Sequence, residues 1–217
     1  MKVITMKIYF VRHGESEGNA SKIWSGADTP LTEKGFKQAE FVANRLQKIL
    51  IDLVIASPYI RTQQTAKVIA DKLSKEIVTS NLFTERKKPS EVEGRTMDDQ
   101  NCISIMEETW KNFYDKNYHH SDEENFEAIK TRAIEAISFL KGQVAEHVIV
   151  VTHGLFLRRL LGVMIFGNEL TQKEDLGLWH FQMQNTGVNI CTYNETKDND
   201  WDTGWRIETW NDQAHLS

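Results

Sequence analysis

Residues 7–17 read Lys-Ile-Tyr-Phe-Val-Arg-His-Gly-Glu-Ser-Glu, an apolar run rich in β-formers that ends abruptly on an arginine, a histidine and a glycine. Ile8, Tyr9, Phe10 and Val11 are near-continuous hydrophobic sequence. That predicts a central strand covered on both faces rather than an alternating edge strand. Arg12, His13 and Gly14 then fall at the strand's C-terminal end, where open α/β sheets build their ligand crevices. Arg12 is a planar, permanently charged fork suited to phosphate or carboxylate. His13 is a base or nucleophile near neutral pH.

Downstream the chain alternates helix and strand patterns. Residues 19–30, with Gly26, Asp28 and Pro30, read as a loop over the strand end. Thr32 is placed to cap a helix whose apolar stripe runs Phe36, Ala39, Val42, Ala43, Leu46, Ile49 and Leu50, ending near Leu50. Leu53, Val54, Ile55 and Ala56 predict a second buried parallel strand, and Ile77-Val78 a third. Between them, Ala66, Ile69, Ala70 and Leu73 mark a helix beginning near Tyr59. The rhythm breaks at residues 82–125, predicted to hold an insertion at about 86–125 that caps the crevice. Helical spacing returns from Phe126 to Leu140, with Gly142 as a stop. Val148-Ile149-Val150-Val151-Thr152 is the clearest buried strand, and it too ends on a histidine and glycine, His153-Gly154. An apolar helix from Leu155 to Phe166 carries Arg158 and Arg159, and strand-like runs follow at 186–193 and 205–210. This order predicts an α/β fold of a single domain, residues 1–217. It is a three-layer α/β/α sandwich with a mostly parallel central sheet and a cap insertion.

Composition narrows the function classes. A net charge of -5 and a pI near 5.8 argue against a general nucleic-acid binder, so any anion site must be local. The N-terminal residues hold too short an apolar run for a signal peptide, and no window approaches ~20 apolar residues. A cytoplasmic protein with no membrane partner is expected. Cys102 and Cys191 sit in no Cys-x-x-Cys arrangement and read as packing or surface thiols. No His-x-His or His-Glu-x-x-His pattern suggests a metal. His119 and His120 lie in a charged stretch and should be solvated, while Trp201, Trp205 and Trp210 should pack against strands.

Strand tips and adjoining loops therefore supply Arg12-His13-Gly14, Arg61, Glu85 and His153-Gly154 to one crevice. A phosphomonoester dianion must be neutralised before a nucleophile can approach it. Two guanidinium forks and a histidinium, from Arg12, Arg61 and His153, can do that. Arg61 gains the attraction of a helix N-terminus for anions.

Arg-His-Gly-Glu at residues 12–15 resembles the signature of the histidine phosphatase superfamily, which includes the cofactor-dependent phosphoglycerate mutases. Ser57-Pro58 with Arg61 and Thr65-Ala66 is similar to the family's second motif, and Val151-Thr152-His153-Gly154 to its third. Residues 82–86 followed by Glu93-Gly94 look like its acid-bearing segment. The resemblance implies covalent catalysis. His13 attacks phosphorus, and Glu85, held protonated, gives its proton to the departing alkoxide and later serves as the base. It also implies phosphate contacts from Asn19, Ser25 and Gly26, and either a backbone N–H or close packing at Gly154. No cofactor is implied.

Departures bear on the substrate. Where the mutases usually carry Arg-His-Tyr-Gly after the acid, an arginine pair in the cap and Asn after the third His-Gly, this chain has other residues. They are Lys87-Lys88-Pro89-Ser90, no such pair between Arg95 and Tyr118, and Leu155. A metal-independent phosphatase of small phosphomonoesters is the resulting expectation. The alternatives are a phosphoglycerate mutase and a non-catalytic module that binds phosphorylated ligands. Lys87 and Lys88 are either an ordinary exposed pair or cap residues that meet an anionic substrate.

Overall fold

A computed structural model describes residues 5–195 and 203–216. The extreme N-terminal residues and Trp201 read above lie outside that range. Six strands form one sheet: β1 (Thr5–Arg12), β2 (Leu53–Ala56), β3 (Ile77–Thr79), β4 (His147–Thr152), β5 (Val188–Asn194) and β6 (Trp205–Asp212). Their order across the sheet is β3-β2-β4-β1-β5-β6. The block β3-β2-β4-β1 is parallel, and β5 and β6 add antiparallel edges. Seven α-helices occur among the described residues: α1 (Glu17–Ser21), α2 (Glu33–Leu46), α3 (Ile60–Leu73), α4 (Gln100–Lys111), α5 (Phe126–Lys141), α6 (Gly154–Phe166) and α7 (Gln172–Leu178).

The continuous apolar run of β1 is explained by two cores. Side chains alternate across a strand. Ile8 and Phe10 therefore join the cluster under α5 and α6, while Tyr9 and Val11 join the cluster under α2 and α3. β4 does the same with Val148 and Val150 on one face and Ile149 and Val151 on the other. Each such side chain, fully buried, contributes about 1.5–3 kcal/mol. The β1–β4 register pairs Arg12 with Thr152, so His13 and His153 leave the sheet at the same level.

Two sequence expectations need correction. First, α2 stops at Leu46; the N–H groups of Lys48 and Ile49 reach back only three residues, to Arg45 and Leu46, a tightening that ends the helix. Leu50, assigned to the buried stripe, is 89% exposed, and Ile51 fills the core instead. Phe36 of the same stripe is also exposed. Second, Thr186 does not start a strand. Its φ of 54° is left-handed, and its N–H donates to the Arg12 carbonyl at 2.9 Å, so it turns the chain into β5. Arg158 and Arg159 on apolar α6 are both buried.

Arg159 lies 2.7 Å from Asp175 on α7, both fully buried. Tyr114 donates its hydroxyl to the other Asp175 oxygen at 2.7 Å. Burial pushes the Asp175 carboxyl up, and the Arg159 cation opposes it. Taking away one partner of such a pair strands a charge in the interior. Asp175→Ala should therefore cost about 3–5 kcal/mol in urea unfolding, with much of the loss recovered when Arg159→Met is added. An unchanged midpoint in the single variant would show that this pair does not hold α7 to α6.

Cys102 and Cys191 are buried free thiols, as read from their spacing. Trp205 packs on Tyr193 and Trp210 on Phe181, each at 4.9 Å between ring centroids. His119 and His120 are exposed. No helix among the described residues is long and apolar enough to cross a membrane.

Candidate active site

β1 and β4 end side by side, and the residues that follow them meet. The His13 and His153 rings are 5.2 Å apart in an edge-on arrangement. His13 is 4% exposed, and its Nδ1 lies 2.7 Å from the Gly14 carbonyl, which fixes that nitrogen as the donor. Nε2 then carries the lone pair, and Arg61 Nε donates to it at 3.2 Å. Burial, with the Arg61 and Arg12 cations behind it, pushes the His13 pKa well below the ordinary value, so the ring is neutral at pH 7.

Backbone geometry holds this tip in place. Gly14 N–H donates to Thr65 Oγ1 at 3.1 Å, and Asn185 Nδ2 donates to the His13 carbonyl at 2.9 Å. A Cβ on Gly14 would sit 2.4 Å from the Gly35 carbonyl oxygen, so only glycine lets the turn pass so close to α2.

Arg61 lies in the first turn of α3, 3% exposed, with one NH group donating to the Gly26 carbonyl at 2.7 Å. Arg12 donates one NH group to the Met183 carbonyl, and its buried Nε has no protein partner. Gly154 makes room for it: a Cβ there would stand 3.2 Å from Arg12 Nε. Close packing is thus the visible role of Gly154.

His153 departs from the cationic clamp expected of it. Its ring is fully buried, with Nε2 2.9 Å from Ser57 Oγ and Nδ1 without a protein partner. Burial, then Arg61, His13 and Arg12, push its pKa well below the ordinary value, so this environment holds the ring neutral.

Glu85 is held in place by backbone N–H groups. Its two oxygens accept N–H bonds from Phe156 at 2.8 Å, Arg86 at 2.9 Å and Leu155 at 3.2 Å. Two of those donors belong to the first turn of α6.

Arg12, His13, Arg61, Glu85, Asn19 and Ser25 all line one cavity of about 190 Å³. Gly26 contributes its carbonyl to Arg61 rather than an N–H to the cavity. Asn19 is exposed and caps its own helix with Ser16, accepting from the Ser16 N–H at 3.2 Å.

The cap segment supplies the remaining wall with Arg86, Lys88, Met97, Met106 and Trp110. Lys87 is exposed and pairs with Asp122, whereas Lys88 reaches the Ser25 carbonyl at 2.9 Å, so the adjacent lysines divide. Sequence reading missed Trp24, Met106 and Trp110. The four-residue step from Met106 to Trp110 shows a helix face but not what it faces. Arg132 was missed too. It forks onto Glu124 at 2.6 and 2.7 Å and donates to the carbonyls of Leu82, Thr84 and Glu85.

The histidine phosphatase superfamily (branch 1) matches residues 8–213. The chain belongs to that superfamily. Among curated proteins it is 30% identical to a "Probable phosphoglycerate mutase GpmB" of Yersinia pestis (strain Pestoides F), covering 97% of this chain and 95% of that one. The alpha-ribazole phosphatase from Shigella flexneri shares the fold with TM-score 0.78 at 23% identity, over 95% of this chain and 96% of that one. Phosphoserine phosphatase from Entamoeba histolytica, in complex with 3-phosphoglyceric acid, matches with TM-score 0.74 at 23% identity, over 98% and 100%. These solved structures share the overall fold described above.

Proposed function

We propose that this protein hydrolyses phosphomonoesters through a phosphohistidine on His13. The observation that carries the reading is the His13 ring: Nδ1 tied to the Gly14 carbonyl, and a lone pair on Nε2 facing Arg61 in a cavity that also holds Arg12 and Glu85. Nε2 forms a bond to phosphorus as the ester P–O bond breaks, and the departing alkoxide takes a proton from Glu85. Water then attacks phosphorus, gives its proton to Glu85 and releases phosphate as the N–P bond breaks.

The protonation states needed follow from the substrate's own charge. A dianion beside Glu85 disfavours a second negative charge and so promotes the protonated acid. The same dianion offsets the two guanidiniums, which favours a charged His153 whose unpartnered Nδ1 can donate to a phosphoryl oxygen. Arg12 Nε, buried and unpartnered, is a second such donor. Positive charge at the phosphoryl group thus comes from arginines, so the reaction should run without an added divalent ion.

The test is hydrolysis of p-nitrophenyl phosphate in excess EDTA, where full activity is expected. Activity that needs a metal, or none over a broad panel of phosphoesters, would overturn the proposal. Phosphate binding without any hydrolysis would instead favour the non-catalytic module.

A mutase reading draws on the curated relative. Against it stand Leu155, where the mutases usually carry Asn, and the apolar faces of Met106 and Trp110 beside Arg86 and Lys88 in the cavity wall. Fast turnover of 3-phosphoglycerate primed with 2,3-bisphosphoglycerate would decide for the mutase.

A further inference from the structure

Given the hydrolase reading above, we infer that the alcohol released from this site carries a flat, largely apolar group with hydrogen-bond acceptors at its edge. The phosphoryl end of the cavity is built from Arg12, His13, Arg61 and Glu85; the other end is different in kind. There the wall consists of Trp24, Met97, Met106, Trp110 and Leu155 together with the cations Arg86 and Lys88. It is not a loose surface. Val92, Cys102 and Met106 form a small buried core on which Trp24 and Trp110 pack, so the aromatic wall is set before any ligand arrives.

Two side chains that line the cavity each carry a buried donor without a protein partner. One is Trp24 Nε1, and the other is an NH group of Arg86, a side chain only 3% exposed. Arg86 is locked, with its guanidinium 4.4 Å over the Trp110 ring and its Nε donating to the Glu124 carbonyl at 3.0 Å. A buried donor left unpaired destabilises the site. An acceptor on the ligand removes that cost.

A second anionic group on the ligand is the less suitable match. The Arg86 charge already has Glu123 and Glu124 beside it, and Lys88 has Glu93 beside it and the Ser25 carbonyl as acceptor. What this end lacks is apolar surface to pack on and acceptors to receive two N–H groups.

The experiment compares alkyl phosphates of matched leaving-group reactivity: phenethyl, pyridylethyl and ethyl phosphate, with phosphoserine and 3-phosphoglycerate as charged controls. Phenethyl phosphate should exceed ethyl phosphate and both charged esters at least tenfold in kcat/KM. Pyridylethyl phosphate, with a ring acceptor, should exceed phenethyl phosphate. In Trp110→Ala the phenethyl-to-ethyl ratio should fall at least tenfold. Met97→Asp, at a position 39% exposed, should lower the same ratio and serves if the first variant fails to fold. Equal rates on all esters, preference for the charged ones, or an unchanged ratio in a folded variant would overturn this substrate assignment while leaving the hydrolase intact. A pyridyl ester no better than the phenethyl one would remove the acceptor requirement. Hydrolysis of none of them would remove both readings together.

Discussion

His13→Ala should lower hydrolysis by roughly 10⁴-fold or more, the scale expected when an activated nucleophile is removed. With it should go an acid-labile phosphoenzyme that wild-type protein forms on rapid mixing with labelled substrate. His153 has its Nε2 engaged with Ser57 and is fully buried, and His119 and His120 are exposed elsewhere on the cap. Inorganic phosphate should still bind the variant, because Arg12 and Arg61 remain, with Arg61 anchored to the Gly26 carbonyl at 2.7 Å. Retained phosphate binding with lost turnover separates a missing nucleophile from a collapsed site. If the label persists in His13→Ala, the phosphorylated residue is another one.

Which parts of this site could be read from the chain follows from the range of the forces involved. β1 and β4 were legible because burial on both faces demands an unbroken apolar run, and such a run is a local property of sequence. That both end on His-Gly was also visible, and the β1–β4 register turns this coincidence into a 5.2 Å contact. The end of α2 was not legible. Leu50 and Ile51 are both apolar, and only the tertiary turn decides that Ile51 enters the core while Leu50 does not. Protonation states were beyond sequence as well. That His153 is held neutral, and that Glu85 accepts three N–H bonds, depends on burial and on the approach of α6, neither of which has a sequence period. The cap hid most, since Trp24, Arg86 and Trp110 are far apart in the chain and share no motif.

Glu85→Gln should separate the chemistry of the leaving group from that of the nucleophile. The Glu85 side chain is held from two directions. Its oxygens accept from the first turn of α6, and its backbone carbonyl accepts from Arg132, which also ties down Leu82 and Thr84 and stacks 4.3 Å over Phe156. The carboxyl is thus placed by α5 and α6 together, and glutamine can occupy the same space. What it cannot do is give up a proton to an alkoxide. General acid catalysis contributes about 10²–10⁴-fold, so phenethyl and ethyl phosphate hydrolysis should fall within that range. p-Nitrophenyl phosphate releases a stable phenolate that needs little protonation and should lose far less in the phosphorylation step. Phosphohistidine should accumulate on the variant when that ester is used, because hydrolysis of the intermediate now lacks its base. Arg132→Lys offers the complementary measurement. A lysine cannot span Glu124 and three carbonyls with one ammonium, so the acid loses its placement while keeping its proton, and the same leaving-group dependence should emerge in weaker form. Equal losses on alkyl and nitrophenyl esters in Glu85→Gln would mean that Glu85 is not the proton donor, and the role would pass to another acidic group or to water.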